Sequence, residues 1–419
     1  MRRILSPYHP ALTHPVLRRV LAGVALSALG DGMSAVAIAW LALRLSHSAV
    51  LVGASLAAYS LPGALGAAVL GRWMRGRSGA RLALANAVVR ATALGLAAAL
   101  ALAGLLHPWW YVCLLGISSL LSAWGLAGRY TLIADALPPA DRIAGNTVFG
   151  VLDQASLMIG PALAGVVSVL AGPAVAIAAD AGSWAVLAIS YARVIPLVAA
   201  SRPPSPSALP TSPSASAPGG AWSVIRADRT LLGLILLSFV FYLLYGPVEV
   251  ALPFHVAVDL HGSASLLGTF WAVFGVGAVT GELAVPFVRR RWPVWPTMTA
   301  IVLGWGLALV PLGLPAPLWV ALPAFCAGAV IWGPWTSLSM AIFQDASPPS
   351  ALAPLLAARG SLLIIASPLG TALGGPLVAA LGARGTLLAS ALVTIVLGGA
   401  AVFLDPSRQP MVLEPGRLG

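Results

Sequence analysis

Arginine is distributed along this chain in a pattern that few folds can accommodate. About twelve apolar segments, each about 20 residues long, run between Val20 and Leu404, and that length lets a helix cross a bilayer core. The linkers between them alternate. One set carries Arg72, Arg75, Arg77 and Arg81; then Arg142; then Arg193, Arg202, Arg226 and Arg229; then Arg289, Arg290 and Arg291. The other set is short and nearly bare: Arg44 with His47, His107, the turn Ala171-Gly172-Pro173, Asp259 with His261, Pro315-Ala316-Pro317, and Arg384. Cytoplasmic loops retain basic residues, so the alternation predicts a multi-pass membrane protein with the arginine-rich linkers and both termini in the cytoplasm.

Composition excludes the soluble alternatives. Hydrophobic residues make up 59% of the chain and charged residues 8%, against roughly 25% charged in a soluble domain. Ala and Leu dominate the apolar runs, which therefore read as helices and not as the alternating ten-residue strands of a barrel. The net charge of +11 sits in the linkers, where topology and contact with anionic lipid account for it, so nucleic-acid binding is not expected. Lysine is absent; with the Ala, Gly, Pro and Arg excess this points to a GC-rich bacterial genome and hence to the bacterial inner membrane. Without lysine there is no Gly-Lys-Ser/Thr phosphate loop, which excludes ATP-driven transport by this chain alone. Cys113 and Cys326 lie inside apolar segments and read as small buried hydrophobes. The first apolar run is too long for a cleavable signal and is read as the first span. No catalytic cluster, metal-ligand set or cofactor motif appears, so no enzyme activity, metal or cofactor is expected.

The spans fall at 20–44, 48–71, 82–105, 109–136, 143–170 and 173–198, then at 231–257, 264–288, 294–314, 317–344, 352–381 and 385–404. Between the two sets, residues 201–220 are rich in Pro, Ser and Ala with no hydrophobic period, and read as a disordered cytoplasmic linker. The expected organisation is an N-terminal six-helix bundle (1–198), a linker (199–230), a C-terminal six-helix bundle (231–404) and a cytoplasmic tail (405–419). The halves resemble each other. Ser48, Gly53 and Gly66 fall on Ser263, Gly268 and Gly281 at one constant offset, and Gly160-Pro161 through Gly165 echoes Ser367-Pro368 through Gly374. Weak internal symmetry between two six-span halves is the mark of a transporter built from repeats.

Three local patterns carry a family likeness. Leu29-Gly30-Asp31-Gly32 is followed by Ala37-Ile38-Ala39-Trp40-Leu41; Gly160-Pro161-Ala162-Leu163-Ala164-Gly165 stands in the fifth span; Gly246-Pro247-Val248-Glu249-Val250-Ala251-Leu252-Pro253 stands in the seventh. Over essentially its whole length the chain resembles the major facilitator superfamily, and within it the bacterial exporters related to macrolide-efflux and enterobactin-exporter proteins. The fifth-span pattern resembles the Gly-Pro-x-x-Gly-Gly core of the exporter motif, with Ala164 in place of one glycine. The resemblance implies an all-α fold of twelve transmembrane helices in two pseudo-symmetric six-helix bundles. It also implies a monomer exporting drug-like or siderophore-like amphipathic molecules by proton antiport, with the substrate near the midplane between the halves. One departure stands out. Where the family has an aspartate in the second-to-third linker, this chain has Arg75, which cannot accept the same hydrogen bonds, so the cytoplasmic gate is expected to be held differently.

Charge at bilayer depth costs at least about 2.5–3.5 kcal/mol and so marks candidate function. Asp31, Glu249 and Asp153 are the proton-coupling candidates, since a desolvated carboxylate without a fixed cation can load and release a proton. The competing reading pairs Asp31 with Arg90 and Asp153 with Arg129. Asp180 and Arg359 are weaker candidates, and Glu282 is expected to reach back toward Arg289. Tyr242, Tyr245, Trp271, Phe274 and Trp335 fall mid-span and are candidates to line a substrate cavity. Gly160, Pro161 and Gly165 are expected to bend and closely pack the fifth span. Trp109, Trp110, Trp292, Trp295 and Trp319 sit at span ends as belt residues. Uptake transport or lipid flipping on the same fold, and a non-transporting scaffold or sensor, are the alternative readings; the partners expected are a small molecule, protons and membrane lipid.

The topology has a direct test. A reporter fused within 201–220 should report the cytoplasm and one fused at Leu106-His107 the outside; the reverse pattern at either site would overturn the span assignment.

Overall fold

The computed structural model describes residues 12–70, 77–138, 141–200, 218–291, 293–348 and 352–403. These residues are helical throughout, without strands. The first half comprises α1 (Pro15–Ser46), α2 (Ala49–Ser60) and α3 (Pro62–Val69), α4 (Gly79–Leu102), α5 (Pro108–Ser119) and α6 (Ser122–Ala136), α7 (Arg142–Leu170) and α8 (Pro173–Ala200). A short helix, α9 (Pro218–Ala227), lies in the stretch read as linker; it packs on α10 and α15. The second half comprises α10 (Arg229–Phe254) with a π-helical turn at His255–Asp259, α11 (Ala264–Arg291), α12 (Val294–Gly313), α13 (Leu318–Trp332) and α14 (Trp335–Ala346), α15 (Leu352–Leu363) and α16 (Ala366–Phe403).

Ten described segments are long and apolar enough to cross a membrane. Two local features reconcile this with twelve spans. The second span is broken at Leu61-Pro62 into α2 and α3, each too short alone, because proline cannot donate to the helix ladder. The segment Ala358–Phe403 holds two spans, since Gly382 takes φ +73° and turns the chain between them.

Lipid offers no hydrophobic drive between helices, so close packing of small residues and interhelical hydrogen bonds must hold the bundle. Both are present, and they repeat. A Cβ on Gly160 of α7 would strike the backbone of Gly32 on α1; one on Gly246 of α10 would strike Gly370 on α16. A Cβ on Gly66 would meet the Leu120 carbonyl, and one on Gly281 the Val330 carbonyl. Across the halves, Gly165 meets Ala264 and Gly268 on α11, while Gly375 meets Ala49 and Val50 on α2. These contacts place Gly160 opposite Gly370 and Gly165 opposite Gly375 in the repeat. Matching proline to proline had aligned Gly160-Pro161 with Ser367-Pro368; what the fold repeats is the glycine that lets two helix backbones touch. In this register Asp135-Ala136-Leu137-Pro138-Pro139 also falls on Asp345-Ala346-Ser347-Pro348-Pro349.

Buried donors add to the packing. Tyr111 donates to the Ile38 carbonyl at 3.3 Å, Ser119 to Ala58 at 2.8 Å, and Trp124 to Gly66 at 3.1 Å. Trp295 is buried and donates to the Ala401 carbonyl at 3.0 Å, so it ties two helices together, whereas Trp109, Trp110 and Trp319 are exposed. The halves meet through α7 with α11 and α2 with α16, at the end of the molecule that carries Ser48 and Ala264. Further along the same helices an apolar crevice of about 450 Å³ opens between Thr147, Gly150, Val151, Ala155 and Met158 of α7 and Val279 of α11.

Gly160→Leu should destabilise the protein by about 1–3 kcal/mol, because the added side chain must push α1 from α7. Gly150→Ala, beside open space, should be neutral. Thermal melting of the purified variants checks both, and equal melting temperatures would refute this packing.

Candidate functional site: a charged cavity inside the N-terminal half

A cavity of about 350 Å³ opens among α1, α4, α6, α7 and α8, all within the first half. Its walls include Asp31, Asn86, Arg90, Ser122, Gly125, Arg129, Asp153, Ser156, Trp184 and Tyr191. Two ion pairs face it. Arg90 of α4 approaches Asp31 Oδ1 of α1 at 3.3 Å. Tyr59 donates to the same oxygen at 2.9 Å and the Trp184 indole at 3.3 Å. The guanidinium lies over both rings, 4.9 Å from the Tyr59 centroid and 4.5 Å from that of Trp184, so the aromatic faces and the carboxylate together replace its water. The second pair is bidentate: Arg129 of α6 donates to both oxygens of Asp153 on α7, at 3.1 and 2.7 Å. That fork-to-fork geometry is the strongest an arginine makes with a carboxylate.

The two pairs share an orientation. The arginine side chains are 10% and 17% exposed, their carboxylates 37% and 41%. The cavity therefore presents acid forward with the guanidinium behind it. A third carboxylate stands close by. Asp180 of α8 is fully buried, accepts from Ser34 and Ser183, and feels the charges of Asp31 and Arg90.

The other sequence candidates lie elsewhere. Glu249 of α10 is partly buried in the second half; Thr371 donates to it at 2.9 Å and Ser367 also bonds it. Among the described residues no cation pairs with it. Tyr245, Trp271 and Phe274 gather with Trp305, Phe325 and Trp332 into one aromatic cluster, with ring centroids such as Tyr245–Phe274 at 6.2 Å and Phe274–Trp332 at 5.4 Å. Tyr242 is half-buried and packs on Phe241, with ring centroids 6.4 Å apart. Trp335 has no exposed surface and packs on Phe241 at 4.5 Å, so here it fills space inside the second half. Glu282 accepts from Ser337 of α14; the Arg289 side chain lies outside the described residues. Gly160, Pro161 and Gly165 are buried in helix contacts. Arg75 lies outside the described residues.

Repeat register explains why one half is open and the other full. Gly32 matches Gly246 and Gly53 matches Gly268 by contact, which puts Tyr245 at the place of Asp31 and Phe274 at the place of Tyr59. Gly125, on the cavity wall, corresponds to Trp335. The polar cluster of the first half is thus an aromatic cluster in the second. Tyr59, Trp184, Asn86 and Thr371 carry no sequence signal of their own; each is a single polar or aromatic side chain in an apolar run. The one usable cue is that a buried Arg90 requires neighbours able to stand in for water.

The family is now decidable. The profile of the Major Facilitator Superfamily matches residues 20–358. The chain belongs to the major facilitator superfamily. It is 25% identical over 402 residues to the multidrug efflux pump Tap of Mycolicibacterium fortuitum, covering 94% of this chain and 97% of that protein. It is 28% identical over 411 residues to the Tap pump of Mycobacterium tuberculosis (strain ATCC 25618 / H37Rv), covering 93% of each. Among solved structures, the nucleoside transporter NupG superposes with a TM-score of 0.68 at 15% identity over 93% of this chain and 99% of that one. A bacterial homologue of the iron transporter ferroportin, in its inward-facing state, superposes with a TM-score of 0.71 at 15% identity over 92% and 98%. At such identity these two establish the fold alone. The protein is a multi-pass membrane transporter of this superfamily and not an enzyme.

Asp31→Asn should cost stability, because it strands Arg90. Breaking a buried pair costs about 3–5 kcal/mol, and the exposure of Asp31 reduces this to about 1–3 kcal/mol. Arg90→Gln added to Asp31→Asn should recover most of the loss. Additive losses in the double variant, measured by thermal melting, would show the two residues to be uncoupled.

Proposed function

We propose that the protein exports cationic amphipathic molecules in exchange for protons. It works as a monomer in the bacterial inner membrane with both termini in the cytoplasm. The halves 1–198 and 231–404 rock about the linker to expose the cavity to either side in turn. The observation that carries the substrate class is the forward placement of Asp31 and Asp153 over a cavity of about 350 Å³, with their arginines behind. A cation entering there gains attraction from the nearer carboxylates, while Val24, Ala28, Leu126 and Leu187 offer apolar wall to its body. The relatives named as multidrug efflux pumps support export.

For coupling, Glu249 is the stronger carrier. Asp31 already has a guanidinium and two hydrogen-bond donors. Glu249 has hydroxyl partners from α16, which can serve either its neutral or its charged form. A carboxylate so placed can bind a proton when its half opens to one side and release it to the other.

The test is transport in proteoliposomes with an imposed pH gradient. Glu249→Gln should reduce gradient-driven accumulation of a cationic dye to below about a tenth of wild type, while dye-for-dye exchange continues. Gradient-driven transport at the wild-type rate would remove Glu249 from coupling, and transport in wild type unaffected by a protonophore would remove proton antiport itself.

A further inference from the structure

The second half holds an arginine that the proposed mechanism does not use. Arg359 of α15 is 7% exposed, among apolar helices. One guanidinium nitrogen donates to Ser339 Oγ of α14 at 2.9 Å, another points at the Met340 sulfur at 3.9 Å, and the group lies 5.5 Å from the centroid of the Phe343 ring. Its Nε is buried without a partner. Among the described residues no carboxylate pairs with it. Charge so far from water is normally paired or satisfied by several acceptors, and here a hydroxyl, a thioether and a ring do not supply a counter-charge.

Repeat register gives the reason. Ser339 occupies the place of Arg129, and Arg359 the place of Phe149, over whose ring Arg129 lies at 5.8 Å. The same contact is therefore made in both halves, with the guanidinium carried by the opposite helix. In the first half Asp153 completes it; the position matching Asp153 in the second half is Leu363. The second half keeps the cation and lacks the acid. Trp335, one helical turn before Ser339 on α14, has a buried indole nitrogen without a partner. Tyr242 of α10 lies close enough to Arg359 to feel its charge. A buried guanidinium with one N–H unpaired and no counter-charge describes a site for an anionic oxygen group.

We infer that Arg359 is the receptor for an anionic group of the transported molecule, so that zwitterionic amphiphiles carrying a carboxylate are among its substrates. This rests on the transporter reading above, with the cationic end at Asp31 and Asp153. The carboxylate replaces, on the Arg359 side, the acid that Leu363 does not provide.

The experiment compares two dyes that differ in one group: rhodamine 6G, an ester and a cation, and its free acid, a zwitterion. Binding to the purified protein in phosphatidylcholine vesicles is followed by fluorescence anisotropy. Arg359→Gln should weaken binding of the free acid by at least about tenfold and that of the ester less than about twofold. Leu363→Asp, which supplies Arg359 with an internal carboxylate, should have the same selective effect without removing the arginine. Equal losses for both dyes in both variants, or no loss for either, would overturn the assignment while leaving export of cations intact. Failure of wild type to bind either dye would overturn both readings. A lipid phosphate is the rival source of the anion. If vesicles containing phosphatidylglycerol raise the melting temperature of wild type but not of Arg359→Gln, with no change in dye selectivity, the occupant is a headgroup and the substrate assignment falls.

Discussion

A guanidinium inside a membrane-spanning bundle has to be neutralised by the protein itself, since the surrounding lipid offers neither water nor counter-ion. Much of the interior of the first half follows from that constraint. Arg90 is answered by Asp31, whose Oδ1 is then held by Tyr59 and Trp184, whose rings also cover the arginine. Arg129 is answered by Asp153 through two parallel hydrogen bonds. Each pair joins two different helices, α1 to α4 and α6 to α7. The same contacts that make the charges tolerable therefore fix the helices that wall the cavity. Removing one member disturbs geometry as well as charge, and this couples structure to any change in occupancy of the site.

Glycine supplies the second constraint. Where α1 meets α7 and where α10 meets α16, backbone touches backbone at Gly32–Gly160 and Gly246–Gly370. The contacts between halves use the same device at Gly165–Gly268 and Gly53–Gly375. Smooth surfaces without side-chain interlocking can pivot at small cost, which suits the rocking proposed above. The ion pairs, by contrast, lie within the halves. Glycine contacts thus serve both inside the halves and at the seam, whereas the two arginine–carboxylate pairs of the cavity tie helices within the first half.

Much of the fold was legible because membrane solvation writes simple rules into a sequence. Span length and helical composition needed no packing information. The broken second span and the turn at Gly382 were less visible: Leu61-Pro62 is a proline in an apolar run, and Gly382 is one glycine among 44. For the site, charge at depth picked out Asp31, Arg90, Arg129, Asp153 and Glu249, because each is expensive and so must do something. It could not say which carboxylate has a cation, since Glu249 and Asp31 look alike until α4 is placed beside one and α16 beside the other. Aromatics gave no such signal. Trp335 and Tyr245 read as equal cavity candidates; packing put one in full burial on Phe241 and the other in a partly buried cluster.

The division of labour between the halves follows from unequal filling of one repeated plan. Gly125 leaves room where Trp335 takes it; Asp31 and Tyr59 form a hydrogen-bonded polar pair where the tilted rings of Tyr245 and Phe274 lie 6.2 Å apart. An aromatic core changes shape at the cost of broken packing, whereas a water-accessible charged cavity can exchange one occupant for another at little cost. The second half is therefore the more tightly filled body and the first the more open one. Glu249 on α10, bonded to α16 at Thr371, lies on a helix pair that also reaches the seam through Gly375. Under the proposed coupling, protonating Glu249 changes the charge on α10, which is bonded at Thr371 to α16, the helix that touches α2 of the other half. The proposed coupling thus has a short mechanical route from Glu249 to the seam, with no need for the proton and the substrate to share a residue.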